Sequence, residues 1–543
     1  MTVTDTPRPG AVSARQDDPD PASAATNAAP GGLAGVVGTG DHKVVGRLFI
    51  GGSLLFVLVA GMAGQLLSID RVDGTRADTI LTRDTFAQVF TLHSTAAVFL
   101  FLLPLLLGVA LCVVPLQVGS TTVAFPRAAA ASFWGWLVGG ALLVAAYVIN
   151  GGPGGGSADG VRLWTAAFAM VLVALVLGAL CVVTTVLTLR APGMDLARVP
   201  LFSWSMLVAG VLWLFTLPVL VGLLVLIYVD HRHGRVGFGD NATIYARVRW
   251  TFFLPQVYAF AVPTLGFIGD VVPVSARART ARRPVAFGAI AVFGALGFGA
   301  FAQTAVYDGA ANQPVYDAMA ILAVLPVLAL LGGWATTIRG GRPRLISPLL
   351  FAVAALLMLL VAVLAGAIAS IDRFDLQGTL FDTGQVHYTT LAAAIAGLGA
   401  LWYWATKIFG RPLSEGLGRL AAVVLLLGTV LLALPDLLSG AFGKGREAGV
   451  GIEALNAASA AGGGLIILGV LVAVLGLLGG LRGRRRERGV DAANEDPWDG
   501  HTLEWATASP PAADNFSEPP EVTSAEPLLD RREATAPSGE VVA

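Results

Sequence analysis

Runs of 18 or more apolar residues without a charge recur along the whole length of this chain. Each such run is long enough to cross a bilayer. Helix is the only state open to them, because the hydrocarbon core cannot satisfy an open strand edge. Twelve spans are predicted. The first six cover about Leu48–Leu67, Phe86–Val114, Ala131–Ile149, Leu163–Leu187, Trp204–Val229 and Phe252–Val274. The last six cover about Val285–Ala305, Ala318–Trp334, Ile346–Ile371, Thr383–Phe409, Gly418–Leu438 and Gly463–Leu481. The fold class is therefore all-α integral membrane, in a domain running over residues 41–482.

Composition agrees. Of the 543 residues only 13% are charged, against about 25% in a soluble chain. The net charge of −1 comes with no large basic tract, which argues against nucleic acid as a partner. The partner implied directly is the lipid bilayer. Residues 1–40 are rich in Ala, Pro, Gly, Asp and Thr and lack the apolar core of a signal peptide. They read as a disordered N-terminal tail. Residues 483–543, basic at first and then acidic and Pro-rich, read as a disordered cytoplasmic tail. Lys and Arg concentrate in alternate short loops, for example Arg277, Arg279, Arg282 and Arg283. That bias puts both termini inside a multi-pass cell-membrane protein, although Asp230–Arg249 is an arginine-bearing exception. The two cysteines, Cys112 and Cys181, lie in apolar spans and read as small hydrophobes.

Histidines are the informative polar residues. The chain has six. His42, His231, His233 and His501 fall in polar or boundary segments, whereas His93 and His387 each fall near the start of an apolar span. Both spans are even-numbered, so both run in the same direction across the membrane. The two imidazoles should therefore sit at similar depth in the outer leaflet. An intramembrane histidine is a functional-site candidate by default, and two of them at one depth can serve as the axial ligands of a haem. The plainer reading makes each a hydrogen-bonded core residue. Haem propionates would need cations at that surface, and Lys444 and Arg446 are candidates.

Other motifs carry less. Gly151–Gly156 is glycine-rich but lacks the Lys-Ser/Thr of a phosphate-binding loop. His231 and His233 read as a surface pair. Asp270 reads as facing the inner interface. Gln65, Gln117, Gln256, Gln303 and Gln385 can hydrogen-bond between helices.

These same residues carry a family likeness. The chain resembles subunit I of the haem-copper oxidases, the large subunit of cytochrome c oxidase. Asp41-His42-Lys43 with Gly46 resembles that family's opening DHK-x-x-G. Residues 90–95, FTLHST, are similar to its FTMHGT, where the histidine binds the low-spin haem. Residues 115–119 (PLQVG), 124–127 (AFPR), 189–194 (LRAPGM) and 200–204 (PLFSW) resemble further family motifs in order. So do Pro255, Val257 and Tyr258, and then Pro273-Val274-Ser275. The likeness covers about Asp41 to Gly445, and it too implies a twelve-helix bundle.

The departures from the family are selective. Where the family has GHPEVY, residues 253–258 read FLPQVY, so Leu254 replaces a copper-ligand histidine and Gln256 a proton-carrying glutamate. Gln303 and Thr304 stand where two more copper ligands are expected. Gln385 stands where the ligand of the oxygen-binding haem is expected, while His387 matches the second ligand of the low-spin haem. Thr122 and Leu330 replace polar residues of the family's proton paths, and Gln377-Gly378 replaces a His-Asp metal pair. Leu cannot coordinate a metal, and Gln is a poor ligand where imidazole is the norm.

The resemblance thus implies a respiratory-chain membrane protein with one low-spin haem, held by His93 and His387 with Arg446 at a propionate. It implies no copper and no catalytic residue for oxygen reduction. Other respiratory-complex subunits, including a copper-bearing subunit II or a cytochrome c at the outer face, are the implied partners. Two alternatives stay open: an active oxidase completed by partner chains, and a haem-free scaffold.

Overall fold

The computed structural model describes residues 32–72, 80–241, 243–302, 312–443, 451–482, 496–516, 518 and 520–535. Two units are distinguished, residues 1–39 and 40–543. Within the first, the described part holds a short helix at Gly32–Val37. The second is a helical bundle.

Its rods follow the apolar runs. In chain order they are α1 (His42–Asp70), α2 (Arg83–Gln117), α3 (Pro126–Val148), α4 (Ala158–Thr188), α5 (Leu201–Arg232) and α6 (Ile244–Ala276). Then come α7 (Arg283–Leu296), α8 (Gln313–Gly340), α9 (Ser347–Ala369), α10 (Leu380–Tyr403), α11 (Glu415–Ala441) and α12 (Glu453–Arg482). Among the described residues, ten helices are long and apolar enough to cross a membrane. α7 is shorter, and α10 opens on a polar turn with Asp382, Gln385 and His387.

Local chemistry sets where the rods begin. Asp41 accepts from Lys43 N at 2.9 Å, and Ser157 accepts from Gly160 N at 3.0 Å. Such side chains satisfy amide donors that a helix start leaves unpaired. Proline opens α3, α7, α8 and α9, where its missing N–H costs nothing. Within α2, residues Ala96–Leu102 form a π-helical turn. Such a turn inserts extra backbone and rotates the face of the helix before it relative to the face after it.

Small residues bring the rods into close contact. A Cβ on Gly440 would lie 2.1 Å from Phe381 N, and one on Gly384 would lie 2.8 Å from Ala433 O. α10 and α11 therefore touch backbone to backbone, the packing mode favoured where lipid removes the hydrophobic drive between helices. A Cβ on Gly462 would lie 2.2 Å from Leu432 N, which draws α11 and α12 together in the same way.

The C-terminal segment departs from expectation. Read as part of a disordered tail, residues 496–516 and 520–535 instead lie over the end of the bundle where α2 stops and α5 starts. Trp498, Leu503, Trp505, Val522 and Leu529 are buried. Val522 N donates to Pro192 O at 3.0 Å, and Trp498 Nε1 donates to Tyr403 O at 2.9 Å. A helix at Pro527–Thr535, α13, ends the described chain. The physical reason is that a few apolar anchors, widely spaced among Pro and acidic residues, suffice when a preformed surface receives them.

Candidate functional site

The site is built at the other end of the bundle, where α1 ends and α10 begins. α2 carries His93 ten residues after Arg83, and α10 carries His387 seven residues after Leu380. The two rings stand with centroids 6.4 Å apart and planes inclined at 63°. Their juxtaposition is what the matched depths of the two spans led one to expect.

Each ring is oriented by its Nδ1. His93 Nδ1 lies 2.8 Å from Ala60 O in α1. A carbonyl only accepts, so the proton sits on Nδ1 and the lone pair on Nε2. His387 Nδ1 faces Asp436 Oδ2 of α11 at 3.5 Å, the outer edge of hydrogen-bond reach. Gly64 gives the His93 ring its room, since a Cβ there would lie 2.6 Å from Cε1.

Outer partners complete the frame. Asp436 is buried, and its Oδ1 accepts from Arg71 at 2.8 Å. Arg71 also donates to Asn456 Oδ1 at 3.3 Å, and Asn456 Nδ2 donates back to Arg71 O at 2.8 Å. α1, α11 and α12 are joined by this network. On the other side, Tyr147 Oη donates to Thr91 Oγ1 at 3.2 Å and Ser94 Oγ lies 2.7 Å from Tyr245 Oη. These contacts pin the turn of α2 that bears His93 to α3 and α6.

The pair suits a haem iron. Two imidazole–metal bonds of about 2 Å each, with the distance from Nε2 to ring centre added at both ends, give a separation of roughly 6 Å. Both rings turn Nδ1 to a protein group, so Nε2 is the nitrogen that would meet a metal, as metal-binding histidines usually do. Thr95 and Tyr388 are buried beside them.

Several residues singled out in the sequence lie elsewhere. Arg446 and Lys444, the propionate candidates, fall outside the described residues, as do Gln303, Thr304 and the side chains of Leu254, Gln256 and Tyr258. Gln65 Nε2 donates to Ala460 O at 3.1 Å across helices. His231 and His233 bond locally to Gly239 O and Val229 O. His42 and His501, placed by the sequence reading in polar or boundary segments, are both buried. His42 Nδ1 reaches Leu111 O at 2.6 Å. Its Nε2 lies 3.0 Å from Asn515 Nδ2 in the C-terminal segment, and Lys43 Nζ donates to Asn515 Oδ1 at 2.9 Å.

Gln117 and Asp270 form a second polar cluster beneath that segment. Gln117 Nε2 donates to Asp270 Oδ2 at 2.8 Å and to Glu504 Oε1 at 3.0 Å. Asp270 Oδ1 caps α5 by accepting from Leu201 N at 3.0 Å. Burial pushes the Glu504 carboxyl above the usual range. Glu526 lies below it: burial would raise it, but the His501 ring 3.9 Å away and hydrogen bonds from Thr280 outweigh that.

Sequence reading missed Asp436, Arg71 and Asn456. A charged residue inside an apolar span was the available signal for Asp436.

The histidine pair thus lies between the second and tenth rods of an all-helical membrane bundle. A solved chain from a heme-copper terminal oxidase dimer has a similar fold, with a TM-score of 0.68, 14% identity, and coverage of 91% of this chain and 89% of that one. Residues 44–476 match the family described as cytochrome C and quinol oxidase polypeptide I. Cytochrome c oxidase subunit 1 of Synechocystis is 30% identical over 504 residues, covering 88% of this chain and 90% of its own. That of Bacillus subtilis is 28% identical over 525 residues, covering 91% and 83%. The chain belongs to the cytochrome c and quinol oxidase polypeptide I family, and it is a multi-pass plasma-membrane protein.

Proposed function

We propose that the protein is an electron-carrying subunit that holds one low-spin haem between His93 and His387 and has lost the oxygen-reducing centre of its family. The single observation that supports this most is the pair of imidazoles, 6.4 Å apart, each with Nδ1 directed at a protein group. Haem bound there would supply one-electron transfer, with the protein setting its ligation and surroundings.

The residues perform the remaining tasks. His93 and His387 would hold the iron together, and a haem so held would carry electrons without binding oxygen. Ala60 O holds the His93 ring in the tautomer that offers Nε2, and Asp436 faces Nδ1 of the His387 ring. At the positions that bind copper and the second haem in the family, Leu254, Gln303 and Gln385 offer no imidazole. Thr122, Gln256 and Leu330 offer no carboxylate or amine for a proton path. One carrier performs no net reaction, so electrons must arrive from and leave to partner subunits. A copper-bearing subunit or a cytochrome c at the outer face fits this role, with both termini of this chain inside and Arg446 near a propionate.

The test is a reduced-minus-oxidised spectrum with haem quantitation by pyridine haemochrome, on protein expressed with its neighbouring subunits. One haem per chain is expected, with a low-spin band that disappears in His93→Ala and in His387→Ala. A folded preparation without haem, or a band that survives both substitutions, overturns the reading.

A further inference from the structure

Asp436 stands out among the buried groups that ligation itself does not use. It is the carboxylate that faces the His387 ring, and its two oxygens are divided between two neighbours. Oδ1 takes the Arg71 guanidinium at 2.8 Å, and Oδ2 is directed at His387 Nδ1 at 3.5 Å. Oδ2 and Nδ1 are both buried, and neither has a hydrogen-bond partner among the described residues, so each is the nearest group the other has to pair with. The close passage of α10 and α11 at Gly384 and Gly440 holds the two groups in register. The His93 ring, by contrast, is set against a neutral carbonyl, Ala60 O. The two proposed ligands are therefore electrically unequal.

We infer that Asp436 is a positioning residue for His387 that also sets the redox potential of the iron, with Arg71 limiting its effect. The inference rests on the bis-histidine reading above. A carboxylate on Nδ1 fixes the tautomer and orientation of a metal-bound imidazole and makes the ring a stronger donor. A stronger donor favours ferric over ferrous iron and lowers the potential. Arg71 places a positive charge on the far oxygen and withdraws part of that effect. A purely structural ion pair tying α1 to α11 would affect stability and leave the potential unchanged.

Two substitutions with opposite signs test this, each in the full chain with its partner subunits. Asp436→Asn preserves shape and removes the charge. At a fixed potential it should shift the ferrous-to-ferric ratio upward about tenfold, which is about 59 mV for one electron. Arg71→Gln leaves the carboxylate unneutralised and should shift the ratio downward. Haem dissociation from Asp436→Asn should also speed up 10- to 100-fold, the usual cost of losing such a partner. Haem-loaded variants with unchanged potentials overturn the inference while the bis-histidine reading stands. Should Asp436→Asn fail to fold, an unchanged potential in Arg71→Gln overturns it alone. A folded wild-type protein without haem overturns the underlying reading, and this inference with it.

Discussion

Gly64 and the His93 ring fit together so closely that no side chain can stand between them. A Cβ on Gly64 would lie 2.6 Å from Cε1 and 2.7 Å from Nδ1. Gly64→Val should therefore turn the ring away from Ala60 O while leaving the helices intact. We expect haem content to fall at least tenfold with the far-ultraviolet circular dichroism unchanged. Retention of full haem content would show that His93 has another resting place.

The helix contact behind His387 makes a parallel prediction. A Cβ on Gly440 already meets the Phe381 amide at 2.1 Å. Gly440→Ala must separate α10 from α11, an overpacking cost of about 1–3 kcal/mol. Thermal melting in detergent should drop, and haem should be lost before the helices unfold.

Carbon monoxide tests the proposed loss of the oxygen site. If His93 and His387 both hold the haem iron as proposed, the reduced protein should show no spectral change when the gas is added. His387→Gly opens one position and should create a carbon monoxide band. A band in the unaltered protein would reveal an iron with a vacant face.

Two glutamates in the C-terminal segment should respond to pH with opposite signs. Burial raises Glu504 above its unfolded value. Its contribution to stability is full below that unfolded value and declines as pH rises through the folded one. Glu504→Gln should remove this decline and still accept from Gln117 and Trp404. Glu526 is lowered: burial opposes its charge, but the nearby His501 ring and hydrogen bonds from Thr280 prevail. Its stabilisation is present above the unfolded value and is lost as pH falls through the folded one. Glu526→Gln should be less stable than the parent at neutral pH and equal to it in acid. Melting temperatures across the acid-to-neutral range would separate the two.

Asn515 provides a stability test that does not involve the haem. It accepts from Lys43 Nζ at 2.9 Å and donates to Ser120 O at 2.8 Å, all within buried surroundings. Asn515→Ala removes the donor to Ser120 O and one of the acceptors of Lys43 Nζ, at a cost of about 2 kcal/mol. Melting of the intact protein would register it.

The sequence made some of this legible for physical reasons. Apolar runs can only be helices in lipid, so the rods and their approximate ends could be read directly. His93 and His387 were visible because an imidazole is rare against that background. Asp436 and Arg71 were harder, because each sits near the end of an apolar run and their pairing is purely tertiary. The π-helical turn after His93 has no local signature. The packing of residues 496–535 was hidden because its anchors, such as Trp498 and Trp505, are diluted by Pro, Gly and charge.

Asn515 meets His42 across 473 positions of sequence. The opening turn of the first rod thus waits for 473 further residues to be translated before this hydrogen-bond partner exists. During synthesis the ionic and imidazole groups of Lys43 and His42 must remain hydrated or borrow a temporary companion. Insertion into the membrane and final closure of the protein are then separate events, and closure falls to a segment outside the candidate membrane spans.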